Sequence, residues 1–175
     1  PWLFDDRPNL VNNEQLPPDA AEFDSWRGAI FSTGSGLLRR PVALASYAVQ
    51  SVVRGDLRAS DSKLVNLGIH LLCGVLIYLV SLRLARNVPE LRGSESLQLL
   101  FGSTVAAAWL LSPLQVSTVM YTVQRMAQLS ALFCVAGVLI FCIYRERLSE
   151  GGDTWKNALA IGLWLLLITV LATLS

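Results

Sequence analysis

Charge is what this sequence has least of. Only 15% of its 175 residues are Asp, Glu, Lys or Arg, against about 25% in an ordinary soluble domain. The shortfall is uneven. Charge gathers in residues 1–63 and in two short later stretches, leaving long segments nearly bare. With 53% hydrophobic residues, that distribution fits a membrane protein better than a large soluble core. The formal net charge is +1 and no basic tract occurs, so no nucleic-acid partner is expected. His70 is the sole histidine, which excludes a multi-histidine metal site. Cys73, Cys134 and Cys142 all lie inside apolar segments. A disulfide framework or zinc site needs paired, polar-flanked spacing, so these read as small apolar helix residues. There is no Walker loop, dinucleotide fingerprint, GxSxG or zinc pattern, and no repeat or heptad. Pro1–Phe4 is too short to be the apolar part of a signal peptide. The chain opens without methionine and closes at Ser175 within an apolar run. A fragment of a longer protein is therefore expected, with an earlier helix before Pro1.

What is there is apolar length. One stretch runs from Leu64 to about Leu84. A second runs from Leu97 to about Leu111 and continues to Tyr121 only if Pro113 is a kink. A third covers about Ala127 to Tyr144, and a fourth starts near Ala158 and is still running at Ser175. Spanning a bilayer takes about 20 apolar residues, so the expected fold is an all-α, polytopic membrane bundle of about four helices over residues 64–175. Arg83, Arg86 and Arg92 follow the first stretch, and Arg145, Arg147 and Lys156 follow the third. The turn from Ser112 to Gln124 has no Lys or Arg. Short basic loops stay cytoplasmic, which puts that turn and residues 1–63 outside. The seven basic residues of that first segment do not oppose this, because the rule weakens beyond about 60 residues.

Residues 1–63 form an outer loop with structure of its own. Pro17-Pro18-Asp19 predicts a turn, then a short helix from Ala20 to Ile30. Pro41 suits the first turn of a second helix. There Val42, Ala45, Val49, Val52 and Val53 recur at helical spacing, and Ser46, Gln50 and Arg54 form a polar stripe. That helix is too polar to span, and lies on the membrane surface or packs on the bundle. Gly55-Asp56 ends it.

Several residues have the chemistry of a site, each beside a plainer reading. Asp5 and Asp6, near the expected end of a missing helix, sit where desolvation can raise a carboxylate pKa and suit it to general-base work; on spacing alone a helix stop at the headgroups is the plainer and favoured reading. The pair alone is an incomplete ligand set for a divalent cation. Arg40 can hold a phosphate or anchor at the interface. Asn66 and His70, at i and i+4, face the same way and serve a site or an interhelical hydrogen bond. Arg125 is costly if it faces lipid; it binds a phosphate or pairs with Asp5 or Asp6.

Taken together these pieces resemble a known pattern. The order is Phe4-Asp5-Asp6 with Asn12, Arg40-Pro41 leading into Ser46-Tyr47, and Asn66-x-x-x-His70-Leu71-Leu72. Ser112-Pro113-Leu114-Gln115, Val119, Tyr121 and Gln124-Arg125 follow. It resembles the membrane region of the transmembrane and tetratricopeptide-repeat-containing O-mannosyltransferases and their bacterial relatives, within the GT-C class of polytopic glycosyltransferases. The resemblance covers Phe4 to about Phe133. It implies a GT-C-like fold with amphipathic helices in the outer loop. It also implies sugar transfer from a polyprenyl-phosphate donor to an acceptor, a protein hydroxyl, on the outer side of a bacterial inner membrane. By carry-over Asp5 or Asp6 is the base, Arg40 and Arg125 neutralise the leaving phosphate, and Asn66, His70, Tyr121 and Gln124 shape the pocket. No cofactor is fixed by the resemblance, and a divalent cation held by the two carboxylates with further ligands stays open. Two departures stand out: Ser112 replaces the histidine that often precedes the proline, and no tetratricopeptide repeats follow. The competing readings are a non-catalytic membrane scaffold or assembly subunit, and a transporter. The transporter lacks the Gly/Pro-broken helix pairs expected at a midplane site.

Overall fold

The computed structural model describes residues 2, 6–19, 21–32, 40–55, 57–149 and 154–175. Among them every regular element is helical. In chain order they are α1 (Phe23–Ile30), α2 (Pro41–Arg54), α3 (Ala59–Ala85), α4 (Pro89–Arg92), α5 (Glu95–Leu110), α6 (Leu114–Met120), α7 (Arg125–Ser149) and α8 (Thr154–Thr173). A π-helical turn, Arg7–Val11, precedes α1, and a 3-10 turn, Thr122–Gln124, leads into α7.

Three helices are long and apolar enough to cross a membrane: α3, α7 with the turn before it, and α8. They make this a membrane protein. At about 1.5 Å per residue, the 27 residues of α3 reach about 40 Å, more than the roughly 30 Å of a hydrocarbon core. The fourth candidate is α5 with α6, which pass the same test only as a pair bent by 62°. Pro113 explains the break. It has no N–H to give to the helix, and its ring pushes the residue before it, Ser112, out of the α region.

Boundaries differ from the apolar stretches in understandable ways. α3 starts at Ala59, ahead of Leu64, because Ala59–Lys63 is a soluble first turn with Asp61 placed favourably near the helix N-terminus. α7 starts at Arg125, and α1 starts at Phe23 rather than Ala20. α8 ends at Thr173. Gly55 closes α2 in the left-handed conformation, φ 74°, where a Cβ would be strained.

The chain forms two compact units. The first comprises residues 1–69, 116–130 and 173–175. Its core is Leu10, Ala43, Leu44, Tyr47 and Met126, with Trp2, Leu16, Leu57, Val123 and Leu129 packed against it. α1 packs on α2. α2 buries Ala43, Leu44, Tyr47, Ala48, Gln50 and Ser51, while Val49 and Val53 are exposed. Part of its polar stripe thus points inward and part of its valine set outward.

The second unit comprises residues 70–115 and 131–172. Small residues set its helix crossings, as expected where no water drives helices together. A Cβ on Gly74 would come within 2.6 Å of the Leu110 side chain, and one on Gly102 within 3.0–3.2 Å of Leu82 and Tyr78. α3 and α5 therefore run antiparallel in close contact. Gly137 meets Ile168 in the same way, which brings α7 against α8. Gly74→Ala is expected to cost about 1–3 kcal/mol through overpacking, and Leu110→Ala in the same chain to recover part of it. Unfolding midpoints in detergent for the two single variants and the double variant check this; purely additive losses would refute the contact.

Candidate functional site

Arg125 opens α7, and its side chain is 0% exposed. A cation at a helix N-terminus opposes the helix dipole, and a cation out of water loses its hydration. Both costs are met by dense hydrogen bonding. The Arg125 Nε–H donates to Asn66 Oδ1 at 3.0 Å, Nη2 to Gln50 Oε1 at 2.6 Å and to the Ser62 carbonyl at 3.2 Å, and Nη1 to Ser46 Oγ at 3.4 Å. The guanidinium also lies over the Tyr47 ring, 4.1 Å from its centroid, a cation–π contact strengthened by desolvation.

The acceptors are themselves held. Gln50 Nε2 donates to Ser62 Oγ at 2.9 Å, and Ser46 Oγ donates to the Ala43 carbonyl. Asn66 Nδ2 donates to the carbonyls of Tyr121 at 3.0 Å, Thr122 at 3.4 Å and Val119 at 3.5 Å. The Tyr47 hydroxyl donates to the Thr122 carbonyl. Burial pushes the Tyr47 phenol above its ordinary range; Arg125 opposes that shift and Asp6 adds to it. Tyr47 is thus a neutral donor whose ring faces the cation. This is why α2 turns Ser46 and Gln50 inward: a buried guanidinium needs oxygen acceptors more than valine needs a second apolar surface.

Asp6 is also fully buried. Its Oδ1 accepts from the backbone N–H of Val123 at 2.8 Å. The carboxylate therefore caps the turn that feeds α7, placing negative charge where the helix dipole favours it. Asp6 and Arg125, far apart in the chain, both act on Tyr47. Asp5 lies outside the described residues.

The other predicted residues separate. Arg40 is exposed, and its Nη1 reaches Met126 Sδ at 3.1 Å. Its backbone is left-handed, φ 43° and ψ 54°, a conformation that costs a non-glycine residue about 1–3 kcal/mol. His70 is 5% exposed; its ring stacks on Trp109 at 4.6 Å and Nε2 lies 3.1 Å from the Leu110 carbonyl. A carbonyl only accepts, so Nε2 carries the proton. Asn66 and His70 thus have different partners despite their helical spacing. Tyr121 enters the cluster through its backbone carbonyl, and Gln124 is exposed. Gln50, Ser46 and Ser62 are members for which motif reading supplied no site role, although Ser46 stands in the Ser46-Tyr47 motif. The polar stripe on α2 signalled the first two. For Ser62, which contributes a hydroxyl and a main-chain carbonyl, no sequence signal exists. No group of three or more His, Cys, Asp or Glu side chains is placed to hold a metal among the described residues.

The class these features define is a helical membrane protein organised around a buried arginine with neutral acceptors and a carboxylate on the adjoining turn. No family model, curated protein or solved structure matched the chain when each was compared with it.

Proposed function

We propose that the chain is the membrane region of a GT-C-class glycosyltransferase, moving a sugar from a polyprenyl-phosphate donor to an acceptor hydroxyl at the outer face of a bacterial inner membrane. Residues 1–63 then lie on that face. The observation that carries the reading is convergence. Asp6 of the amino-terminal segment bonds Val123, 117 positions away, beside the Arg125 cluster, so acid and base partners predicted from separate motifs share one neighbourhood.

In this reading an Asp carboxylate takes the proton of the acceptor hydroxyl as its oxygen attacks the sugar. The polyprenyl phosphate leaves with growing negative charge, which fixed cations stabilise. Of the two arginines, Arg125 has its donors engaged by protein groups, so direct phosphate contact falls to exposed Arg40. The strained backbone at Arg40 supports that assignment, since such strain collects at functional positions. Arg125 contributes positive potential and holds the turn.

A second reading, a non-catalytic membrane scaffold, is favoured by the full enclosure of Asp6 and Arg125. An in vitro assay separates the two. Full-length protein is incubated with a panel of polyprenyl-phosphate-linked sugars and candidate acceptors, and the acceptors are weighed by mass spectrometry. The transferase reading expects one donor to be consumed and one sugar mass to be added. No transfer from any donor favours the scaffold.

A further inference from the structure

Arg83, Leu84, Asn87, Cys142, Arg145 and Glu146 enclose a cavity of about 180 Å³. Three come from the end of α3 and the turn beyond it, and three from α7. None belongs to the Arg125 cluster. Arg83 pairs with Glu146, which engages the one carboxylate among the described lining residues. Arg145 is exposed and carries no ion pair among the described residues. Among the described lining residues, two guanidinium groups stand against one carboxylate, a net positive charge facing the cavity.

The end of α3 would ordinarily repel an anion, because the last carbonyls of a helix carry about half a negative charge. Here those carbonyls are occupied. The backbone N–H groups of Arg86, Asn87 and Val88 donate to Leu82, Leu84 and Ala85, and Asn87 Nδ2 donates to the Arg83 carbonyl at 3.0 Å. The cavity also has a defined depth. Arg83 stands at the end of the apolar run of a helix about 40 Å long, so it reaches the headgroup layer outside the roughly 30 Å hydrocarbon core. Leu84 and Cys142 add an apolar side to the same cavity.

We propose that this cavity binds a phosphodiester at the membrane surface, and that its occupant is the headgroup of an anionic phospholipid. The guanidinium fork matches phosphate oxygens in pairs, and basic pockets between membrane helices suit such headgroups. The inference is independent of the transferase reading.

Full-length protein is reconstituted in nanodiscs of phosphatidylglycerol and phosphatidylcholine, then extracted, and retained lipid is read by native mass spectrometry. Arg145→Gln is expected to lower phosphatidylglycerol retention about fivefold, the effect of one surface arginine. Glu146→Gln is expected to raise it by a similar factor, since it removes the competing carboxylate. A misfolded variant cannot produce that opposite sign. Equal retention in all three proteins overturns the proposal. Displacement of the lipid by millimolar inorganic phosphate overturns the lipid assignment, whereas resistance to it supports a headgroup anchored by its chains.

Discussion

Arg125→Ala is expected to destabilise the protein by about 3–5 kcal/mol, near the upper end of what single substitutions do. The cost arises on both sides of the contact. The Asn66 and Gln50 amide oxygens, the Ser62 carbonyl and the Ser46 hydroxyl lose their donor, and a buried group left unsatisfied costs about 1–3 kcal/mol. Tyr47 loses the cation over its ring, and the missing side chain leaves a void. Arg125→Lys should recover only part, because an ammonium is a point donor and cannot reach acceptors spread around a planar fork. Denaturant titration of the purified full-length protein, followed by circular dichroism, measures this. A midpoint unchanged in Arg125→Ala would mean that the guanidinium serves a ligand and not the fold.

Asp6→Asn tests the other half of the cluster and should separate chemistry from architecture. Asparagine has nearly the same shape, and its Oδ1 still accepts from the Val123 N–H. The turn before α7 is therefore retained, with a loss limited to the difference between charged and neutral hydrogen bonds, about 1 kcal/mol. Base function disappears with the charge. If Asp6 is the base, sugar transfer falls at least about 100-fold while the unfolding midpoint barely moves. Undiminished transfer would make Asp6 a structural cap. Asp5→Asn made alongside assigns any loss of transfer to one acid or the other.

These expectations show where the sequence was legible. Apolar length was enough to locate α3, α7 and α8, because any segment that buries its backbone polar groups in lipid must be a long helix. Proline chemistry marked both the start of α2 at Pro41 and the break at Pro113. The importance of Arg125 followed from the cost of a cation in an apolar segment, as did the need for polar partners. Its particular partners were open, phosphate or carboxylate, and the described structure supplies neutral acceptors from α2, α3 and the residues before α3 begins its apolar run. Asn66 and His70 stand four residues apart on α3, yet spacing cannot say which neighbour each side chain meets, and the two meet different ones.

Composition and pattern alone therefore decided the helical class, the membrane setting and the identity of the costly residues, since those depend on transfer free energies that each segment carries wherever it goes. Tertiary structure alone decided that Gln50 and Ser62 serve Arg125, that Asp6 caps the turn at Val123, and that Arg83 and Arg145 share a cavity. Those pairings join residues far apart in the chain, and no local pattern of propensity or hydropathy encodes which distant side chain each one meets.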